Sequence, residues 1–413
     1  MNGYRCIACA ETQVENFAGF LCPVCGGNLD ITYDYDAIVE DIEQSPIDRA
    51  RYIFTFAPFL PVEKPRSRFP LRIGGTPLYA AHRLGKSQGM RNLFLKDDTA
   101  NPSASSKDRA SAVAVRRAMD LGADVVSVAS TGNAGSSLAC VAAAVGMKAV
   151  VFVPESAPVA KLTQSLSLGA TVLAVRGNYD DAFDLCLAAS AEFGWFNRST
   201  GYNPFTREGK KICAYEIWES LDGKVPDRIV VPTGDGNLLS GMWKGWCDLK
   251  SVGLINRMPK IDCAQSVSSA AISNTVRKLR ENSIEEIDWS KVAIDEVKAG
   301  TIADSIAVDR PRDGLAAVKA IIESGGNAVT VSDEDILAAI PEMARLSGVF
   351  PEPAAATPWA AVKQMVRNKQ IEADELVVCL VSGSGLKDIG AAQKAVGAPL
   401  VIDPSIEAVR NAF

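Results

Sequence analysis

One lysine in this 413-residue chain is set up for amine chemistry by its neighbours. The segment Asn101-Pro102-Ser103-Ala104-Ser105-Ser106-Lys107-Asp108-Arg109 is a loop of small residues running into a helical stretch, Ala110 to Leu121. Lys107 therefore sits at a helix start, where the helix dipole and Arg109 favour the unprotonated amine. Such an amine can form a Schiff base with a carbonyl and later carry protons as base and acid. Taken alone, Lys107 reads better as a solvated lysine in a first helical turn.

Three further segments offer places for anions. Ser130-Thr131-Gly132-Asn133-Ala134-Gly135 joins a strand to a helix, and backbone N–H groups at a helix N-terminus suit an amino-acid carboxylate. Thr233-Gly234-Asp235-Gly236-Asn237 also lies between strand and helix, and its glycines let the backbone wrap a phosphate. It lacks the GxGxxG spacing and no Gly-Lys-Ser/Thr follows, which disfavours dinucleotides and nucleotides. Val381-Ser382-Gly383-Ser384-Gly385 follows the last strand and would point the Ser382 hydroxyl into the cleft at the carboxyl end of the sheet. Each segment by itself also reads as an N-cap or an ordinary βα turn.

A separate pattern opens the chain. Cys6-x2-Cys9 and Cys22-x2-Cys25 are separated by twelve residues, and Gly26-Gly27 follow the second pair. Two such knuckles place four thiolates in a tetrahedron suited to Zn²⁺, and a closed four-sulfur site implies a structural metal. The other six of ten cysteines are scattered singly and read as small buried apolar residues. Arg5 is the only base in this module while Glu11, Glu15 and Asp30 are acidic, so docking or stability suits it better than nucleic acid.

The elements that would position these groups follow a βα alternation. Apolar runs at Asp124–Ser130, Ala149–Val153, Ala170–Val175, Arg228–Val231 and Leu376–Val381 alternate with helical stretches, implying parallel sheet covered on both faces. Residues 36–75 carry five prolines between Pro46 and Pro70 and read as an extended connector. Apolar residues make up 47% and charged residues 22% of the chain, a globular composition of two or three domains. The net charge of −6 forms no basic stripe, which argues against nucleic acid. The longest uncharged apolar stretches, such as Leu138–Met147, are far short of the ~20 residues of a membrane span, and no secretory signal is seen. A cytoplasmic protein is expected.

Taken together and in order, these segments resemble the fold-type II pyridoxal-5′-phosphate (PLP) enzymes, and most closely the threonine synthases, with threonine dehydratases and cysteate synthases as relatives. The resemblance also draws on Gly74-Gly75-Thr76-Pro77-Leu78, Glu323-Ser324-Gly325-Gly326, Gly348 to Ala354 and Gly383 to Asp388. It implies an α/β fold of two parallel-sheet domains behind an N-terminal zinc ribbon (1–35). A large PLP domain would comprise 76–90 and 205–413, and a smaller one 91–204. It further implies Lys107 as Schiff-base lysine, Asn133 at the cofactor's 3′-oxygen, Gly234, Asp235, Gly236 and Asn237 around its phosphate, and Ser382 at its ring nitrogen. A hydroxyl there leaves the ring a weaker electron sink, favouring elimination or replacement over transamination. Ser130, Thr131, Gly132, Lys96, Ser103 and Arg207 would receive a small amino-acid substrate. A homodimer with structural zinc is expected.

Three departures bear on the substrate. The phosphate loop is one residue shorter than in threonine synthases and has a dehydratase-like length, with the Asp235 carboxylate expected to point away. Thr206 stands where those enzymes place an arginine for the substrate phosphate, and Arg207 follows one place later. Thr301 to Val308 resembles a dehydratase or serine-racemase segment. The activity implied is conversion of O-phospho-L-homoserine and water to L-threonine and phosphate. The alternative is β-elimination or β-replacement on serine, threonine or a phosphorylated or sulfur-bearing relative.

Overall fold

The computed structural model describes residues 1–44, 52–63, 69–157, 159–281 and 287–413. Three sheets organise them. A small antiparallel sheet joins β1 (Gly3–Cys6), β2 (Thr12–Val14) and β3 (Leu29–Thr32) in the order β2-β1-β3. The largest sheet uses β4 (Leu78–Ala80) and β5 (Asn92–Asp97). The four-stranded sheet uses β6 (Val125–Ala129), β7 (Lys148–Pro154), β8 (Thr171–Val175) and β9 (Phe196–Asn197) in the order β8-β7-β6-β9, all parallel. The chain then returns to the largest sheet through β10 (Arg228–Pro232), β11 (Lys260–Ser266), β12 (Ala328–Val331) and β13 (Leu376–Val381). Its order is β12-β11-β10-β13-β5-β4, parallel except for β4.

The strand chemistry fits this burial. β10 and nearly all of β13 are buried on both faces, as continuous Val, Ile and Leu runs require. The short edge strand β4 is exposed at two of three positions. β5 corrects the sequence-based boundary at residue 91, because it pairs with β13 in the large sheet along its whole length. Its apolar run is broken by Lys96 and Asp97, which hid it.

Helices cover the sheets. Those before the second half are α1 (Tyr35–Gln44), α2 (His82–Lys86), α3 (Lys107–Asp120), α4 (Asn133–Val145), α5 (Val159–Ser167), α6 (Tyr179–Phe193), α7 (Phe205–Ser220) and α8 (Asn237–Ser251). α9 (Ala271–Glu281), α10 (Gly314–Ser324), α11 (Asp333–Ser347) and α12 (Pro353–Arg367) follow. Glycine permits a close crossing: a Cβ on Gly209 of α7 would stand 2.1 Å from the Arg109 carbonyl oxygen of α3. In α6, Asn178 and Asp181 form a reciprocal capping box.

The connector is less extended than its prolines imply. α1 is followed by a 3₁₀ turn at Ile53–Phe59, whose Phe56 and Phe59 rings pack on Tyr215 at 5.3 and 5.0 Å. Aromatic anchoring outweighs the proline bias here, and Pro46 and Pro65 lie outside the described residues. Among those described, no helix is long and apolar enough to cross a membrane.

Candidate active site

Lys107 is the first residue of α3, as its position before an alanine-rich run requires. It lines a narrow cleft with Thr233, Gly234, Asp235, Gly236, Ser305 and Ser382. Partial exposure to this cleft does not keep its amine in water: burial lowers its pKa, opposed by Asp235 and Glu352 and assisted by Arg198. Arg109 is not the assisting cation expected from sequence. Its guanidinium is committed to Asp98 (2.8 Å) and to Glu216, both buried.

The glycine loop forms the far end of the cleft. Gly236 has φ +92°, and a Cβ there would meet the Asp313 carbonyl oxygen and Ala317 at 2.8 Å. A Cβ on Gly234 would meet the Ile306 backbone at 2.9 Å. Asp235 corrects another expectation. Its carboxylate accepts the N–H of Asn237, the first residue of α8, at 3.1 Å and so turns into the loop rather than pointing away. Asp313 braces the same turn: its N–H donates to Asp235 O (2.9 Å). Its carboxylate accepts from Asn237 Nδ2 (2.9 Å) and Ser240 Oγ (2.7 Å).

A second cavity, of about 320 Å³, shares Ser305 and is lined by Gly132, Asn133, Ser136, Gln164, Glu352 and Lys387 among others. Asn133 Nδ2 donates to both Glu352 oxygens (3.0 and 3.1 Å) and to Ser305 Oγ (3.2 Å). Gly383 leaves room for that carboxylate, since a Cβ there would stand 2.5 Å from Glu352 Oε1. Burial raises the Glu352 pKa, against the pull of Asn133 and Lys107. Lys387 Nζ donates to Ser103 O (2.9 Å), Ser136 Oγ (3.1 Å) and Gln164 Oε1 (2.7 Å). Ser130 Oγ accepts the Gly132 N–H at 3.2 Å, in the loop before α4 that also holds Thr131.

The remaining expected substrate residues are otherwise engaged. Lys96 Nζ is fully buried on Glu216 Oε2 and Thr76 O, each at 2.7 Å. Arg207 holds Asp313 and Asp30, the latter at 2.9 Å, and Leu29 O at 3.3 Å. Ser103 gives both its N–H (2.7 Å) and its hydroxyl to Asp108. None of the three lines either cavity. Sequence reasoning overlooked Arg198, Lys210, Glu352 and Lys387. Glu352 and Lys387 carried a signal, within Phe350-Pro351-Glu352-Pro353 and Gly383-Ser384-Gly385-Leu386-Lys387-Asp388, whereas Arg198 and Lys210 carried none.

The residues present fit a PLP molecule. The two glycines leave a cradle that a Cβ would fill, at the positively polarised start of α8. Ser382 is buried, and its hydroxyl has no hydrogen-bond partner among the described residues. The Cys6, Cys9, Cys22 and Cys25 sulfurs lie within 4.8 Å of one another, with Cys6–Cys25 at 3.5 Å and Cys9–Cys22 at 3.7 Å. A Zn²⁺ tetrahedron with bonds of ~2.3 Å needs sulfur separations near ~3.8 Å.

With this fold and cleft, the chain belongs to the pyridoxal-phosphate dependent enzyme family, which matches residues 70–383. Solved structures of similar fold include the processed form of threonine deaminase isoform 2 from Solanum lycopersicum (TM-score 0.66, 19% identity, 89% of this chain and 96% of that one). Maize serine racemase is another (TM-score 0.64, 19%, 78% and 91%). In sequence the chain is similar to the threonine synthase of Methanocaldococcus jannaschii, 36% identical over 409 residues and 98% of each chain. It is also similar to that of Methanosarcina acetivorans, 35% identical over 410 residues, 99% of this chain and 98% of the other.

Proposed function

We propose that the chain is a threonine synthase, converting O-phospho-L-homoserine and water to L-threonine and phosphate. The observation that carries this reading is a desolvated Lys107 facing a glycine cradle and an unpartnered Ser382 hydroxyl across one cleft. Full-length similarity to threonine synthases supports it. Bound PLP would supply an electron sink for carbanion character at the substrate's α-carbon. Lys107 would hold it covalently and Gly234, Gly236 and Asn237 would hold its phosphate. Asp235 would have to release the Asn237 N–H to make room.

The protein's own groups then divide the work. Lys107 in its neutral form takes the Cα proton, and desolvation makes that form accessible. The Ser130–Asn133 turn at the start of α4 binds the substrate carboxylate. Asn133 fixes Glu352, whose pKa burial raises against the pull of Asn133 and Lys107. Ser382 gives the ring nitrogen a neutral partner. The Cys6, Cys9, Cys22 and Cys25 site holds structural zinc, and the two larger sheets organise two lobes around the cleft.

One observation favours a second reading, β-elimination or β-replacement on serine, threonine or a relative. Arg207 is locked onto Asp30 and Asp313, and Thr206 offers no charge, so neither supplies a clamp for a substrate phosphate. Purified holoenzyme is given O-phospho-L-homoserine, O-phospho-L-serine, serine and threonine, with inorganic phosphate, threonine and 2-oxo acid measured. Stoichiometric phosphate and threonine from the first compound supports threonine synthase. No phosphate from it, with 2-oxo acid from serine or threonine, reverses the order.

A further inference from the structure

Buried cations in this protein have carboxylate partners as a rule. Lys211 pairs with Glu208 and Asp248, Lys244 with Asp30 and Glu208, Lys96 with Glu216, and Arg109 with Asp98. Two cations beside Lys107 break that rule. Arg198 is 0% exposed and Lys210 is 1% exposed, and neither forms an ion pair among the described residues.

Arg198 directly follows β9. Parallel pairing of β9 with β6 puts it at the carboxyl end of the smaller sheet, where α/β sheets bind ligands. Its N–H donates to Ser127 O at 2.8 Å. From there the side chain reaches α3, where Nε donates to Ser111 Oγ at 3.1 Å, one helical turn beyond Lys107 on the same face. Nη1 donates to Thr200 Oγ1 at 2.8 Å, while Nη2 is buried with no partner. Lys210 lies on α7, its Cβ 3.0 Å from where Gly241 would carry one. Its ammonium has no hydrogen bond among the described residues. Asp235 is the leading opposite charge felt by both, without being within ion-pair distance of either. Burial takes Arg198 down to about 10 and Lys210 down to about 7.

Two buried positive groups close to one catalytic amine, neither of them lining either cavity, are each short of a counterion. Such an arrangement is unfavourable unless a bound anion completes it. The glycine loop already offers the cofactor's phosphate backbone N–H groups and the start of α8. We propose that Arg198 and Lys210 clamp the phosphate that the amino-acid substrate carries and releases. This rests on the phosphorylated-substrate reading above, and it gives that reading the charge that Thr206 and Arg207 do not supply. Arg198 offers a directed N–H from Nη2, and Lys210 a point charge.

The test uses the PLP-loaded enzyme. Affinity for inorganic phosphate is read from perturbation of the cofactor's absorbance, alongside PLP content and the KM and kcat for O-phospho-L-homoserine. L-homoserine serves as the unphosphorylated control. Arg198→Gln and Lys210→Met should each weaken phosphate binding and raise KM by about 10-fold or more. PLP content and the response to L-homoserine should stay as in wild type. Arg198→Lys keeps a buried charge and should recover part of the loss even if Arg198→Gln folds poorly. Wild-type phosphate affinity in both variants overturns the clamp, as does loss of PLP in step with loss of phosphate. If wild-type enzyme spends no O-phospho-L-homoserine yet binds phosphate through these residues, the clamp stands and the threonine synthase reading fails.

Discussion

Replacing Lys107 by alanine removes the amine that lies across the cleft from the glycine loop. Turnover should fall by about 10²- to 10⁴-fold or more, the usual worth of a positioned proton carrier. Borohydride reduction followed by peptide mapping should place the cofactor on Lys107 in wild type and nowhere in the variant. Label on Lys96 or Lys387 would sink the assignment. Lys210 predicts a pH dependence of its own. Its pKa without an anion is about 7, below the ordinary lysine range because of burial. A bound anion would raise it, so binding above that pH takes up a proton and weakens as pH rises. Sulfate, which does not titrate in this range, should bind the holoenzyme evenly below pH ~7 and lose up to ~10-fold per unit above it. Lys210→Arg should flatten that slope, and an unchanged slope would remove Lys210 from the anion site. Residue types and spacing made Lys107, Asn133 and the glycine loop legible in sequence, because each sits at a βα junction. They misled for Lys96 and Arg207, whose partners Glu216 and Asp313 lie 120 and 106 positions away. A cation's identity is local information, and whether a carboxylate neutralises it is not.

At the scale of elements, α3 and α7 hold the site's geometry. Gly209 lets the two helices touch backbone to backbone, where any side chain would collide with the Arg109 carbonyl. Gly209→Ala should therefore cost about 1–3 kcal/mol or more of stability by forcing the helices apart. It should also raise the dissociation constant for PLP, since α3 begins with Lys107. Urea titration and cofactor titration on the same preparation check both; a neutral variant would mean that the crossing relaxes freely. The strands visible in sequence were the uninterrupted apolar ones, β6, β7, β8, β10 and β13. β5 was hidden by Lys96 and Asp97, and β11 by Asp262 and Gln265, all polar yet buried. Hydropathy marks a strand only while its buried positions are apolar, and this core buries several charges in networks.

For the whole molecule, the four-cysteine module is attached to the catalytic body through charge rather than through a linker alone. Asp30 on β3 accepts from Arg207 (2.9 Å) and Lys244 (2.8 Å), and Asn28 Nδ2 donates to Asp313 Oδ1 (2.9 Å). Cys22→Ser should abolish the single zinc per chain measured by elemental analysis. It should lower the unfolding midpoint while changing turnover per folded molecule much less. Full metal content in the variant would refute the ligand set.

Asp313 stands between the proposed sites of two ligands that would never meet. One side of it faces the module through Asn28 and Arg207, the other the cofactor's phosphate loop through Asn237, Ser240 and the Asp235 carbonyl. Coupling of two binding equilibria through such a brace would be reciprocal. Whatever factor by which the metal tightens PLP binding, PLP must tighten retention of the metal by the same factor. A chelator should therefore strip zinc more readily from the PLP-free protein than from the holoenzyme, and Asp313→Asn should erase the difference. A protein that sheds a cofactor would then also loosen its hold on a metal at the other end of the chain.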